Sequence, residues 1–110
     1  MFSIDESVDD GLVHLVLHGE VDLSCVGTIR ETVAAHMTGG AAGLVIDLGD
    51  VIFIDSTGIG CLVGCRNDAE RADMSYAVIN PSPRVRDILN MVGVSAHLNV
   101  DQPPRDRQSS

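Results

Sequence analysis

The chain has no tryptophan and no lysine, and only one tyrosine and two phenylalanines among its 110 residues. So little aromatic surface cannot stack a nucleobase or wall a flavin ring, and no cofactor is implied. Without lysine, the seven basic residues are all arginines, and 16 acidic residues outnumber them to give a net charge of −9 at pH 7. Nucleic-acid affinity is carried largely by clustered cations, so the balance argues against nucleic acid and for a protein partner with a basic face. Cysteine is sparse and odd in number: Cys25, Cys61 and Cys65 space neither as a secreted disulfide framework nor as a CxxC redox or zinc site. Reduced thiols in a cytoplasm are expected. No apolar run approaches the roughly 18 residues of a membrane helix, and the first ten residues hold four acids and no basic stretch, so neither export nor a membrane location is expected.

What is present is a 45% hydrophobic chain of single-domain length, enough to bury roughly two thirds of its unfolded surface in one core. Its centre is the stretch Leu44 to Gly60. The short β-branched run Leu44-Val45-Ile46 predicts a buried strand, followed by two acidic turn regions, and Ile59, Leu62, Val63 and Arg66 open a 3.6-residue pattern. Asp55-Ser56-Thr57-Gly58 therefore stands where a helix begins, with unpaired N–H groups and a partial positive charge. Ser56 is either a plain N-cap or a placed hydroxyl.

Before this stretch, Phe2-Ser3-Ile4 and the run Leu12 to His18 predict strands; in the second, Val13, Leu15 and Leu17 share one face and His14 and His18 lie on the other. The two histidines are four residues apart, about 13 Å along a strand, too far to hold one metal ion together. Gly19-Glu20-Val21-Asp22 then leads into a helix with Val26, Ile29, Val33 and Met37 on one stripe, Ser24 as N-cap and Gly39-Gly40 as its stop. Asp22 thus occupies a strand-to-helix turn like that of Ser56. If the two strands are parallel neighbours, both turns share the sheet edge where α/β folds gather ligands; otherwise Asp22 is a turn residue and no more. Further on, Ser75 to Ile79 predicts a strand, and Ser82 with Pro83 starts a helix whose stripe is Val85, Ile88, Leu89 and Val92 and whose end is Gly93. A short last strand is expected around Leu98 to Val100, and residues 101–110 form a polar tail beyond a domain of residues 1–100. Cys61 and Cys65, one turn apart, are expected to act as small apolar residues that let the second helix pack closely beside Gly58, Gly60 and Gly64.

Of two other readings of the central turn, an aspartic protease fails on spacing, and a flavodoxin-like phosphate- or nucleotide-binding protein stays as a less favoured alternative. An aspartic protease places glycine two residues after its aspartate, whereas Gly58 is three after Asp55. A flavodoxin-like phosphate loop is expected after the first strand, and the aromatic walls of a flavin site are missing.

The succession Gly19-Glu20-Val21-Asp22, VIDLGDVIFIDSTGIGCLVGC and INPSPRVRDILNMVGV resembles the bacterial anti-sigma factor antagonists, the small proteins that define the STAS domain, from about Phe2 to Val100. The resemblance implies an α/β fold with a four- or five-stranded, partly parallel sheet and helices packed mainly on one side. It implies no catalytic activity. It also implies that Ser56 is phosphorylated by the partner, an anti-sigma factor serine kinase of the histidine-kinase ATPase type, and that only the unmodified protein binds that partner and frees the sigma factor. Asp22 and Asp55 match acidic positions flanking the family's phosphorylation site, and Thr57 and Gly58 complete the turn. A STAS module regulating or scaffolding another partner would share every one of these residues.

Overall fold

Asp10 and Gly11 both lie at positive φ, +53° and +82°, the two-residue loop whose twist matches that of paired strands. This loop joins β1 (Ser3–Asp9) to β2 (Leu12–Val21) as an antiparallel hairpin with Asp9 opposite Leu12. The computed structural model describes residues 1–101. After the hairpin come α1 (Leu23–Thr38), β3 (Gly43–Ile54), α2 (Ser56–Arg71), β4 (Ser75–Ile79) and α3 (Pro83–Val92). The sheet order is β1-β2-β3-β4, with the β2–β3 and β3–β4 pairs parallel, so α1 and α2 are the crossovers that parallel pairing requires.

One face of the sheet is apolar and the helices cover it. Val13, Leu15, Leu17 and Val21 of β2 meet Leu44, Ile46 and Leu48 of β3, and the inward residues of α1 (Ile29, Val33), α2 (Leu62, Cys65) and α3 (Val85, Leu89) join the same cluster. The mixed sheet with helices mainly on one side is therefore as expected. The opposite face carries the half-buried His14, Val16 and His18. Tyr76 on β4 is buried, and its hydroxyl donates to the Leu62 carbonyl at 2.8 Å, tying β4 to α2.

Four local expectations are corrected. β3 does not end at Ile46 in turns but runs for 12 residues. Between Leu12 and Val21 the partner strand advances from Gly43 to Ile54, eleven steps against nine, so β3 carries two extra residues, one near Leu48-Gly49 and one near Ile52. Each bulge shifts the inward set by one position, from Leu48 to Val51 and then to Ile54, which hides the strand from a period-2 reading. The cap of α1 is Asp22, not Ser24, and the cap of α2 is Asp55, which removes the N-cap alternative for Ser56. Instead of a last strand there is one bridge, Val78 to Val100, beside the buried Leu98. Finally, Asp101 is held: it accepts from the Asn80 amide at 2.7 Å and from the Arg86 guanidinium at 2.5 Å, and the remainder of the polar tail lies outside the described residues.

Candidate functional site

β2 and β3 end side by side, with Val21 opposite Ile54 and the Asp55 amide donating to the Val21 carbonyl at 3.3 Å. The two following turns, at Asp22 and at Asp55-Ser56, are thereby neighbours on the carboxyl edge of the sheet.

In the α2 turn, Asp55 leaves the strand in an extended conformation and its Oδ1 accepts from the Gly58 amide at 2.9 Å. The carboxylate takes the N-cap role because it is a charged acceptor at the positive end of a helix. Ser56 becomes the first helical residue and Thr57 the second, and both side chains are exposed. Gly58 is buried against the strand ends: a Cβ there would stand 2.5 Å from the Val21 carbonyl oxygen and 2.9 Å from Ile54 Cγ1. Only a residue without a side chain lets the helix start this close to the sheet, which fixes where Ser56 emerges. The other two glycines expected to serve packing differ, since a Cβ on Gly60 would meet nothing and one on Gly64 would meet the Arg30 guanidinium. Cys61 and Cys65 are buried, as the packing reading expected.

The α1 turn repeats the plan. Asp22 Oδ1 accepts from the Ser24 amide at 2.9 Å and from the Ser24 hydroxyl at 2.6 Å, while the Asp22 amide donates to Cys25 Sγ at 3.3 Å. The Ser24 hydroxyl, then the Ser24 amide, hold the Asp22 carboxyl below the usual carboxylate range, so it is ionised at neutral pH. The described bonds of Asp22 go to Ser24 and Cys25 rather than to Ser56; the two residues share an edge and two neighbouring turns, not a hydrogen bond.

The same edge carries apolar residues that the sequence reading did not single out. Leu23 is 73% exposed and Ile52 66%, and Phe53 pairs in register with Glu20 one step before Ile54. Exposed apolar side chains beside an exposed hydroxyl and two carboxylates make a surface suited to a protein partner. The available signal was the run Val51 to Ile54, four apolar residues of which only two can face inward.

Residues 3–105 match the STAS domain family. The anti-sigma-B factor antagonist of Staphylococcus aureus is 22% identical over 100 residues, 91% of this chain and 93% of that protein. An anti-sigma factor antagonist from Mycobacterium paratuberculosis superposes with a TM-score of 0.81 at 19% identity, over 94% of this chain and 87% of the other. The Bacillus cell fate determinant SpoIIAA, solved in its phosphorylated form, gives a TM-score of 0.68 at 26% identity over 87% and 86% of the two chains. With the sheet order, the paired strand-to-helix turns and a match over nearly its whole length, this chain belongs to the STAS domain family.

Proposed function

We propose that this chain is a non-enzymatic, cytoplasmic anti-sigma factor antagonist whose unmodified form binds an anti-sigma factor serine kinase and so frees the sigma factor, and whose phosphorylation at Ser56 abolishes that binding. The observation that carries the reading is the exposed Ser56 hydroxyl at the first position of α2, fixed in place by the Asp55 cap and the close approach of Gly58. Relatives of similar length are anti-sigma factor antagonists, and one of them has been solved phosphorylated. In this reading Asp22, Asp55, Thr57 and Gly58 surround the acceptor and, with Leu23, Ile52 and Phe53, form the docking edge.

The charge arithmetic shows why a phosphate could break a complex without refolding the protein. It adds about 1.5–2 negative charges next to Asp55. At a separation of about 6 Å, each like-charge pair costs only about 0.7 kcal/mol in water but about 3 kcal/mol at an effective dielectric near 20. The α2 amino terminus returns about 0.3–1 kcal/mol. The free protein, whose Ser56 is open to solvent, therefore tolerates the phosphate, whereas a partner that displaces the water does not. A loss of about 3 kcal/mol weakens binding about a hundredfold.

The test is incubation with the cognate kinase and ATP, peptide mapping of the phosphate, and calorimetric titration of both forms. Phosphate on Ser56 with binding lost only in the modified form is expected. Phosphate confined to Thr57, or equal affinity of the two forms, would overturn the reading.

A further inference from the structure

On the face of the sheet that no helix covers, His18 stands in the middle of a three-strand row. Its Nε2 lies 2.8 Å from Oδ2 of Asp5 on β1, and its Nδ1 lies 2.8 Å from Oδ2 of Asp50 on β3. A neutral imidazole has one N–H and one bare nitrogen lone pair. It can donate to one of these carboxylates, but it must then point a lone pair at the other. Both contacts are satisfied together only when the ring is doubly protonated.

We propose that His18 is a proton-operated staple: as an imidazolium it binds the edge strand β1 and the strand β3, which leads into the Ser56 turn, to the central strand β2, and on losing its proton it must release one of them. The placement makes such a release consequential. β1 is an edge strand whose side chains are largely exposed, so little apolar burial holds it. Asp50 sits where the first bulge of β3 interrupts regular pairing, between the Val16–Asp47 and His18–Asp50 registers. The ion pairs thus reinforce the two weakest places in the row.

Among the described residues, the charges that act on His18 are those of two carboxylates, Asp5 and Asp50, and the chain start at Met1 passes beside the next residue, Gly19. Asp5 and Ser3 face His18 from β1, and Asp50 faces it from β3. Asp47, farther along β3, is engaged by the Gly49 amide at 2.7 Å. On its own strand the neighbouring titratable groups are His14 and Glu20. The hydrogen bond to Asp5 is the main cause that raises the imidazole above its ordinary value of 6.5; loss of hydration opposes it, and the charges of Asp5 and Asp50, with a weaker hydrogen bond to Asp50, carry the balance upward. Because the folded value lies above the unfolded one, the stabilisation is complete below about pH 6.5 and is lost as pH rises through the folded value. His36 provides the contrast: among the described residues its one carboxylate contact is Nε2 to Glu6 at 2.8 Å, which a neutral tautomer can satisfy by donating, though more weakly than an imidazolium.

The experiment is a pH titration of the full chain by nitrogen-15 and carbon-13 resonance of the histidine side chains, with backbone amide exchange in β1 followed in parallel. His18 is expected to titrate above the ordinary imidazole value of 6.5. Protection of the β1 amides, corrected for intrinsic exchange, should fall as His18 deprotonates, by up to about tenfold for each unit by which folding raises its value. In Asp50→Asn and Asp5→Asn the His18 midpoint should drop, and in His18→Gln the pH dependence of β1 protection should vanish. A wild-type His18 that titrates at or below the ordinary value, or β1 protection that stays constant across its titration, would overturn the proposal with no recourse to any variant.

Discussion

The Ser56 hydroxyl and the Asp22 carboxylate occupy neighbouring turns but do different chemistry. Ser56 is free to be modified because Asp55 has already taken the capping role; a serine N-cap would have its oxygen committed to the helix amide. Replacing Ser56 with alanine should leave kinase binding intact, whereas Ser56→Asp should weaken it about tenfold or more, a single charge carrying part of the dianion's effect. Calorimetry of the two variants decides, and matching affinities would show that charge at this position is not the switch. Asp22 is argued differently. An asparagine there can still accept from the Ser24 amide, so Asp22→Asn should melt like the wild type while phosphorylation of Ser56 slows. A phosphorylation time course beside a thermal melt separates the cases, and an unchanged rate at unchanged stability would reduce Asp22 to a cap.

At the scale of elements, the joint between α2 and the sheet can be tested with two glycines two residues apart. A Cβ at Gly58 meets backbone, the Val21 carbonyl oxygen at 2.5 Å, and neither the strand nor the helix can yield without the other. Gly58→Ala should therefore cost about 1–3 kcal/mol, a fall in melting temperature of at least about 4 °C. Gly60 is exposed with open space around it, so Gly60→Ala should stabilise by about 0.5–1 kcal/mol through helix propensity alone. Equal effects of the two substitutions in urea denaturation would deny the close approach. Elements of this kind were legible in the sequence where one physical signal dominated. β4 and α3 have the residues expected, because Ser82-Pro83 and Gly93 punctuate α3 and Ser75 to Ile79 is a plain apolar run. β3 was legible only to Ile46, since its two bulges break the alternation that reveals a strand. β1 was read as three residues because Asp5, Glu6 and Asp9 make it polar; the informative signal was the Asp10-Gly11 loop beside it. The two strand-to-helix turns share one edge because β2 and β3 are parallel neighbours, and Asp22 and Asp55, as charged acceptors, take the caps for which Ser24 was the candidate and Ser56 one of two readings.

For the molecule as a whole, the governing quantity is a charge of −9, set against described residues that extend over 34 × 25 × 21 Å. At an ionic strength of about 0.01 M the screening length is about 30 Å, so charges repel across the entire protein; at about 0.15 M it shrinks to about 8 Å and repulsion becomes local. The attractive pairs respond to salt in the opposite direction, but those among the described residues are largely exposed: Arg30–Asp68 and Arg86–Asp101 have arginine side chains more than 40% exposed, Arg66–Glu70 and Arg71–Asp68 lie along the surface of α2, and such pairs contribute little each. Repulsion spread over 16 acids should outweigh them. The melting temperature at pH 7 should accordingly rise between about 0.01 M and 0.5 M sodium chloride, and the rise should be smaller at pH 6, where added protons reduce the net charge and strengthen the His18 contacts. Scanning calorimetry over that grid is the measurement. A melting temperature that falls with salt would mean that the ion pairs, His18 among them, outweigh the self-repulsion of the acidic surface.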